Sequence, residues 1–156
     1  MSLNEKLAQL AGRQAEEARR KKAVQEAQEA DRLAREQVRQ SVQASWSVNM
    51  QVLTEAIDRV NSALSQHGKP LYLIAEQKSD SDRVYKGKIG YTRKPFPFDD
   101  GDMQRILMVV ENNGDINFKL GTKSSFPRKS ITLKISEADI DAYTNVLIEF
   151  IDMNTP

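Results

Sequence analysis

Between Asn4 and Gln43 the chain has no proline and one glycine, Gly12, and is built mainly of Ala, Glu, Gln, Arg and Lys. These are the strongest intrinsic helix formers, so a helix is predicted across the whole stretch. The same stretch is poor in core-building side chains. Beyond Met1, residues 1–40 offer only Leu3, Leu7, Leu10, Leu33, Val24 and Val38, whereas from Trp46 onward large apolar residues arrive in regular clusters. A helix draws most of its stability from burying one face. The hydrophobic free energy is therefore assigned to the last two thirds of the chain. Residues 1–42 are expected to form an extended charged helical arm, and residues 43–156 a two-layer α+β domain.

Acid-before-base pairs four residues apart support the arm helix: Glu16 with Arg20, Glu17 with Lys21, and Asp31 with Arg35. What the arm packs on is less constrained. Leu3, Leu7 and Leu10 follow a heptad-like rhythm, but its continuation places Gln14, Glu17 and Lys21 at apolar positions. A second stripe, Ala8, Ala11, Ala15 and Ala18, continues one position displaced as Ala23, Ala27, Ala30 and Ala34, and removes little area from water. A strong leucine zipper is not expected. A weak antiparallel or partner-dependent coiled coil, a solvated helix, and contact with the chain's own domain all remain open.

From Trp46 the periodicity sharpens. Trp46, Met50, Leu53, Ile57, Val60 and Leu64 draw one apolar stripe along a helix that nothing separates from the arm except the candidate starts at Ser41 and Ser45. His67-Gly68-Lys69-Pro70 is expected to end it at about His67. Leu71 to Ala75 reads as a first strand. Tyr85, Gly87, Ile89 and Tyr91 alternate with Lys86, Lys88 and Gly90 in a second, and Ile106 to Val110 form a third that should be the most enclosed. Asn112-Asn113-Gly114 is a hairpin signal leading into Asp115 to Leu120. Ser130 to Ile135 is the fifth strand. Ser136 is the expected cap of a closing helix, with Ile135 and Ile140 as its hydrophobic staple. The expected order is α-β-β-β-β-β-α: a long N-terminal helix and a five-stranded antiparallel sheet, with helices packed on one face.

The chemistry-bearing residues are sparse. With no cysteine and one histidine, thiolate nucleophiles and Cys-based zinc sites are excluded, and a reducing, cytoplasmic setting is the default. No apolar run is long enough to span a membrane, and the amino terminus lacks the apolar stretch of an export signal. Gly121-Thr122-Lys123-Ser124-Ser125 lacks the glycine that completes a phosphate-cradling loop. Asp99-Asp100-Gly101-Asp102, like Asp80 and Asp82, reads as a solvated turn rather than a calcium loop. No catalytic residue, metal ligand or cofactor is assigned, and an enzyme is not expected.

One face stands out. Net charge is only +1, but residues 69–134 carry thirteen Lys/Arg against eight Asp/Glu, and residues 135–156 carry five acids and no base. If the strand alternation holds, Lys86, Lys88, Lys119 and Lys134, with Thr132, project from the side the helices leave bare. Arg93, Lys94, Lys123, Arg128 and Lys129 would stand at its rims, and Lys86, Lys88, Arg93, Lys119 and Lys134 are the candidate binding residues. Tyr85, Tyr91 and Phe118 fall on the opposite parity, which disfavours base stacking. The expectation is a structural or adaptor protein that forms a homo-oligomer or docks a protein partner through its arm and binds a partner on the basic sheet face. A nucleic-acid-binding module and a small-molecule-binding domain are the alternatives.

Overall fold

The computed structural model describes residues 1–65, 68–77, 82–92 and 104–155, with backbone alone at 76 and 77. Helix α1 runs unbroken over Leu3–Leu64. It opens with a capping box, in which Ser2 Oγ accepts from the Glu5 amide at 3.2 Å and the Ser2 amide donates to Glu5 Oε2 at 3.3 Å. Ser41 and Ser45 therefore start nothing. The helix is described as far as Leu64, and the end expected at about His67 lies outside the described residues.

Five strands follow: β1 (Leu71–Gln77), β2 (Arg83–Tyr91), β3 (Arg105–Glu111), β4 (Asp115–Leu120) and β5 (Lys129–Lys134). They pair in chain order, each antiparallel to the next, so β3 is central and β1 and β5 are the edges. The β3–β4 hairpin turns at Gly114, whose φ of +96° is open to glycine at little cost. Asn113 Oδ1 holds the turn by accepting from the Asp115 amide at 3.0 Å. Helix α2 spans Ile140–Met153.

The cap of α2 departs from the sequence reading. Asp139, not Ser136, is the N-cap, and its Oδ1 accepts from the Ala142 amide at 2.8 Å. Ser136 is consumed in a turn closed by the Glu137 amide on the Lys134 carbonyl, which delays the helix by three residues. Ile135 and Ile140 accordingly do not staple the helix start, although both pack against the core.

The chain divides into two units, Met1–Val38 and Arg39–Pro156. In the first, every residue is exposed, including Leu3, Leu7, Leu10, Val24, Leu33 and Val38. The three ion pairs expected from the spacing are formed: Glu16–Arg20 at 2.9 Å, Glu17–Lys21 at 3.4 Å and Asp31–Arg35 at 3.0 Å. Arg32 adds a two-toothed contact to Glu29 that holds the Glu29 carboxyl below its usual range, first through the hydrogen bond and then through charge.

The second unit contains the core. Leu53, Ile57 and Val60 of α1 and Tyr143, Leu147 and Phe150 of α2 are buried with Ile106, Met108, Val110, Ile116, Phe118 and Leu120 of the sheet. Cross-strand partners such as Ile89, Ile106 and Leu120 share one face, so the strand period of two delivers every second side chain to the same interior. Aromatic edges key the layers together, with Phe118 against Tyr143 and Tyr91 against Phe150. Two polar contacts add direction. Tyr143 donates to Asn49 Oδ1 at 2.7 Å, and the Asn61 amide grips the backbone of Leu71 by both its donor and its acceptor. The architecture is a long N-terminal helix, a five-stranded antiparallel sheet and a C-terminal helix, as the residue pattern predicted.

Candidate functional site

The face of the sheet opposite the core is set by the same register. Lys88 of β2 lies across from Leu107 of β3, which lies across from Lys119 of β4 and then Ser130 of β5. The next row is Lys86, Val109, Asn117 and Thr132. Two lysines thus bracket Leu107 at two strand spacings, roughly 10 Å apart at the backbone. Lys134 shares this face and is paired in register with Asp115, an acid that offsets its charge. Arg93, the remaining candidate, and Lys94 lie outside the described residues, as do Phe96, Phe98, Asp80 and the acidic run 99–102.

The face is less uniformly basic than the alternation implied. Leu107 and Val109 are half-buried, so the central strand is sealed only on its core side and offers an apolar strip on the other. Lys86 and Lys88 are also half-buried rather than fully in water, while Lys119 and Lys134 are exposed. Beside the strip, a hydrogen-bonded chain crosses three strands. Thr132 Oγ1 donates to Asn117 Oδ1 at 2.7 Å, and Asn117 Nδ2 donates to Glu111 Oε1 at 3.3 Å. Leu107, Val109, Asn117, Lys119 and Thr132 line a shallow depression of about 240 Å³. Its chemistry is mixed: an apolar floor, a lysine on the β4 side, and a pre-ordered amide and hydroxyl along one wall.

One rim assignment changes. Lys129 forms an ion pair with Glu149 of α2, so its charge is directed to the helix layer and not to the open face. In the loop after β4, Phe126 is covered by the Arg105 guanidinium, 4.3 Å from the ring centroid. The loop after β4 is closed on itself. Its Thr122 amide donates to the Ser125 carbonyl at 2.8 Å, and the Ser125 amide donates to Thr122 Oγ1 at 3.2 Å, so these two donors serve the turn and not an anion.

A second concavity escaped the sequence reading. Trp46, Met50, Ala75, Val84 and Tyr85 line an open groove of about 490 Å³ where α1 crosses the β1–β2 edge. The Trp46 and Tyr85 rings lie 5.1 Å apart, and among the described residues neither the indole N–H nor the Tyr85 hydroxyl has a hydrogen-bond partner. Burial raises the Tyr85 pKa above the ordinary phenol value. Both residues fall on the core parity of their elements, so nothing in the periodicity marked them as lining a groove. Among the described residues, no group of three or more His, Cys, Asp or Glu side chains is placed to hold a metal ion, and no helix is long and apolar enough to cross a membrane.

Fold and face together define an α+β two-layer sandwich within Arg39–Pro156, with one sheet face that no helix covers among the described residues. Comparison with protein-family models, curated proteins and solved structures finds no match to the chain.

Proposed function

We propose that this chain is a non-enzymatic adaptor, which associates with itself or a partner helix through residues 3–38 and binds a protein segment on the open face of its sheet. One observation carries the reading. A charged helix of more than thirty residues exposes six large apolar side chains, Leu3, Leu7, Leu10, Val24, Leu33 and Val38, at 48–73% of their surface. Helices gain stability from packing rather than from propensity, so a long helix with exposed leucines gains most when another helix covers it. The open face supports the second half of the proposal. An apolar strip flanked by Lys88 and Lys119 suits an extended segment that carries an apolar side chain with an acid two residues to either side, because residues two apart share one face of a strand and would set the acids toward the lysines.

Sedimentation equilibrium on the full chain, from micromolar to near-millimolar concentration, tests the self-association arm of the proposal. A mass that rises toward a multiple of 17.7 kDa is expected, and a monomer over the whole range removes self-association. For the open face, the paired reversal Lys88→Glu with Lys119→Glu should abolish binding of a peptide that carries acids two residues to either side of an apolar residue, measured by calorimetry. Equal binding by both proteins would dismiss that half.

A further inference from the structure

The exposed seam of α1 holds information about orientation that its leucines alone do not. Leu7, Gln14, Lys21, Gln28 and Arg35 occupy one heptad position, and Leu3, Leu10, Glu17, Val24, Asp31 and Val38 occupy the other. Four of these are charged, and the structure joins them within the helix as Glu17–Lys21 and Asp31–Arg35. All four side chains are mostly exposed, so they are available to a second helix.

In a parallel, in-register pair each residue on the seam meets its own copy. Glu17 would face Glu17, Lys21 would face Lys21, and Asp31 and Arg35 likewise, giving four layers of like charge. Reversing one helix changes the sign of all four. With the two-fold axis beside Glu26, Glu17 faces the second copy's Arg35 and Lys21 faces the second copy's Asp31. Combined with the two pairs already formed within each helix, these contacts close a ring of alternating charge: Glu17, Lys21, then Asp31 and Arg35 of the other chain. Symmetry builds the ring twice.

The neighbouring positions fit the same register. Val24 meets Gln28, Val38 meets Gln14, and on the flanks Arg20 lies beside Ala34 and Ala18 beside Arg32, so no like charges are opposed. Ala27 meets its own copy at the axis, where a small side chain lets the helices approach.

We infer that residues 14–38 pair with a second copy of this chain as an antiparallel coiled coil, in the register that sets Glu17 against Arg35 and Lys21 against Asp31. The inference rests on the self-association proposed above and adds its orientation, register and determinants. Such a pair is held by charge more than by apolar contact, since each seam valine meets a glutamine, and it weakens as salt screens the rings.

Two charge-conserving variants of the full chain test it. Glu17→Lys with Lys21→Glu keeps net charge and leaves an opposite-charge pair within the helix, but sets like charges across the antiparallel interface. It is expected to raise the dimer dissociation constant in sedimentation equilibrium by on the order of tenfold or more. Adding Asp31→Arg with Arg35→Asp restores every cross-helix pair and should restore the dimer. The absence of cysteine allows a direct check of orientation: Glu17→Cys mixed with Arg35→Cys should form the mixed disulfide, while Leu10→Cys alone should not dimerise covalently. A wild-type chain that stays monomeric overturns the self-association reading itself. A wild-type dimer indifferent to the swap, or a ready Leu10→Cys homodisulfide, overturns the antiparallel register while leaving self-association intact.

Discussion

Replacing Asn61 by alanine isolates how the first strand is fixed to the helix layer. Asn61 Nδ2 donates to the Leu71 carbonyl at 2.7 Å, and Asn61 Oδ1 accepts from the Leu71 amide at 2.8 Å. Leu71 begins β1, an edge strand, directly after Pro70, and its side chain is 2% exposed. An edge strand has sheet partners on one side only, so here the helix supplies both partners that the missing neighbour would have given. Each hydrogen bond contributes about 0.5–1.5 kcal/mol, and stranding partly buried backbone groups adds to the loss, so Asn61→Ala should cost about 2–3 kcal/mol. Urea unfolding followed by fluorescence of Trp46, the only tryptophan, would report the midpoint shift at an unchanged slope. Asn61→Asp sharpens the result. It keeps the acceptor for the Leu71 amide but turns a carboxylate oxygen toward the Leu71 carbonyl, so the deficit should be largest at neutral pH and shrink when acid protonates it. A loss below about 0.5 kcal/mol for Asn61→Ala would show that water replaces the clamp without cost and would refute the reasoning.

The two glycines at Gly12 and Gly114 should respond oppositely to alanine. Gly12 sits inside α1 with nothing within 4 Å of the position a Cβ would take, so Gly12→Ala should stabilise the helix by about 1 kcal/mol in thermal circular dichroism. Gly114→Ala should cost about 1–3 kcal/mol, because φ is +96° and the new Cβ would lie 3.1 Å from Ile135 Cγ2. Adjacent residues of β3 should also differ: Met108→Ala should lose about 2–5 kcal/mol and Leu107→Ala about 1 kcal/mol by chemical denaturation, and equal losses would contradict the assigned faces. Burial raises the Tyr143 pKa well above the usual phenol value near 10, so its contribution is complete below that pH and fades as pH rises further, where only the unfolded chain releases the proton. Stability measured across the alkaline range should therefore fall less steeply in Tyr143→Phe than in the wild type, and identical slopes would remove Tyr143 from the account.

Elements whose signal is local were legible from the residues alone. The 4-3-4-3-4 spacing from Trp46 to Leu64 lies on α1, the Asn-Gly turn makes the β3–β4 hairpin, and the parity of Lys86, Lys88, Lys119 and Lys134 puts them on one face. Periods of 3.6 and 2 are properties of the backbone itself, so a chain need not be folded for them to be read.

What depended on the tertiary structure is whatever two distant segments decide together. Lys129 is drawn to Glu149, and Asn61 is matched to Leu71, because packing a helix on a sheet brings together groups that no spacing rule links. The cap of α2 moved to Asp139 because the turn after β5 claimed Ser136 first, a competition between two adequate local signals that the connection to the sheet resolves. Leu107 and Val109 read as a fully enclosed strand from composition alone. Their half-burial follows from where the helices lie, on one side only of a sheet whose hydrophobic run faces both ways. Periodicity thus determined the elements and their faces, while the position of the helix layer decided which of those faces became core and which stayed only half-buried.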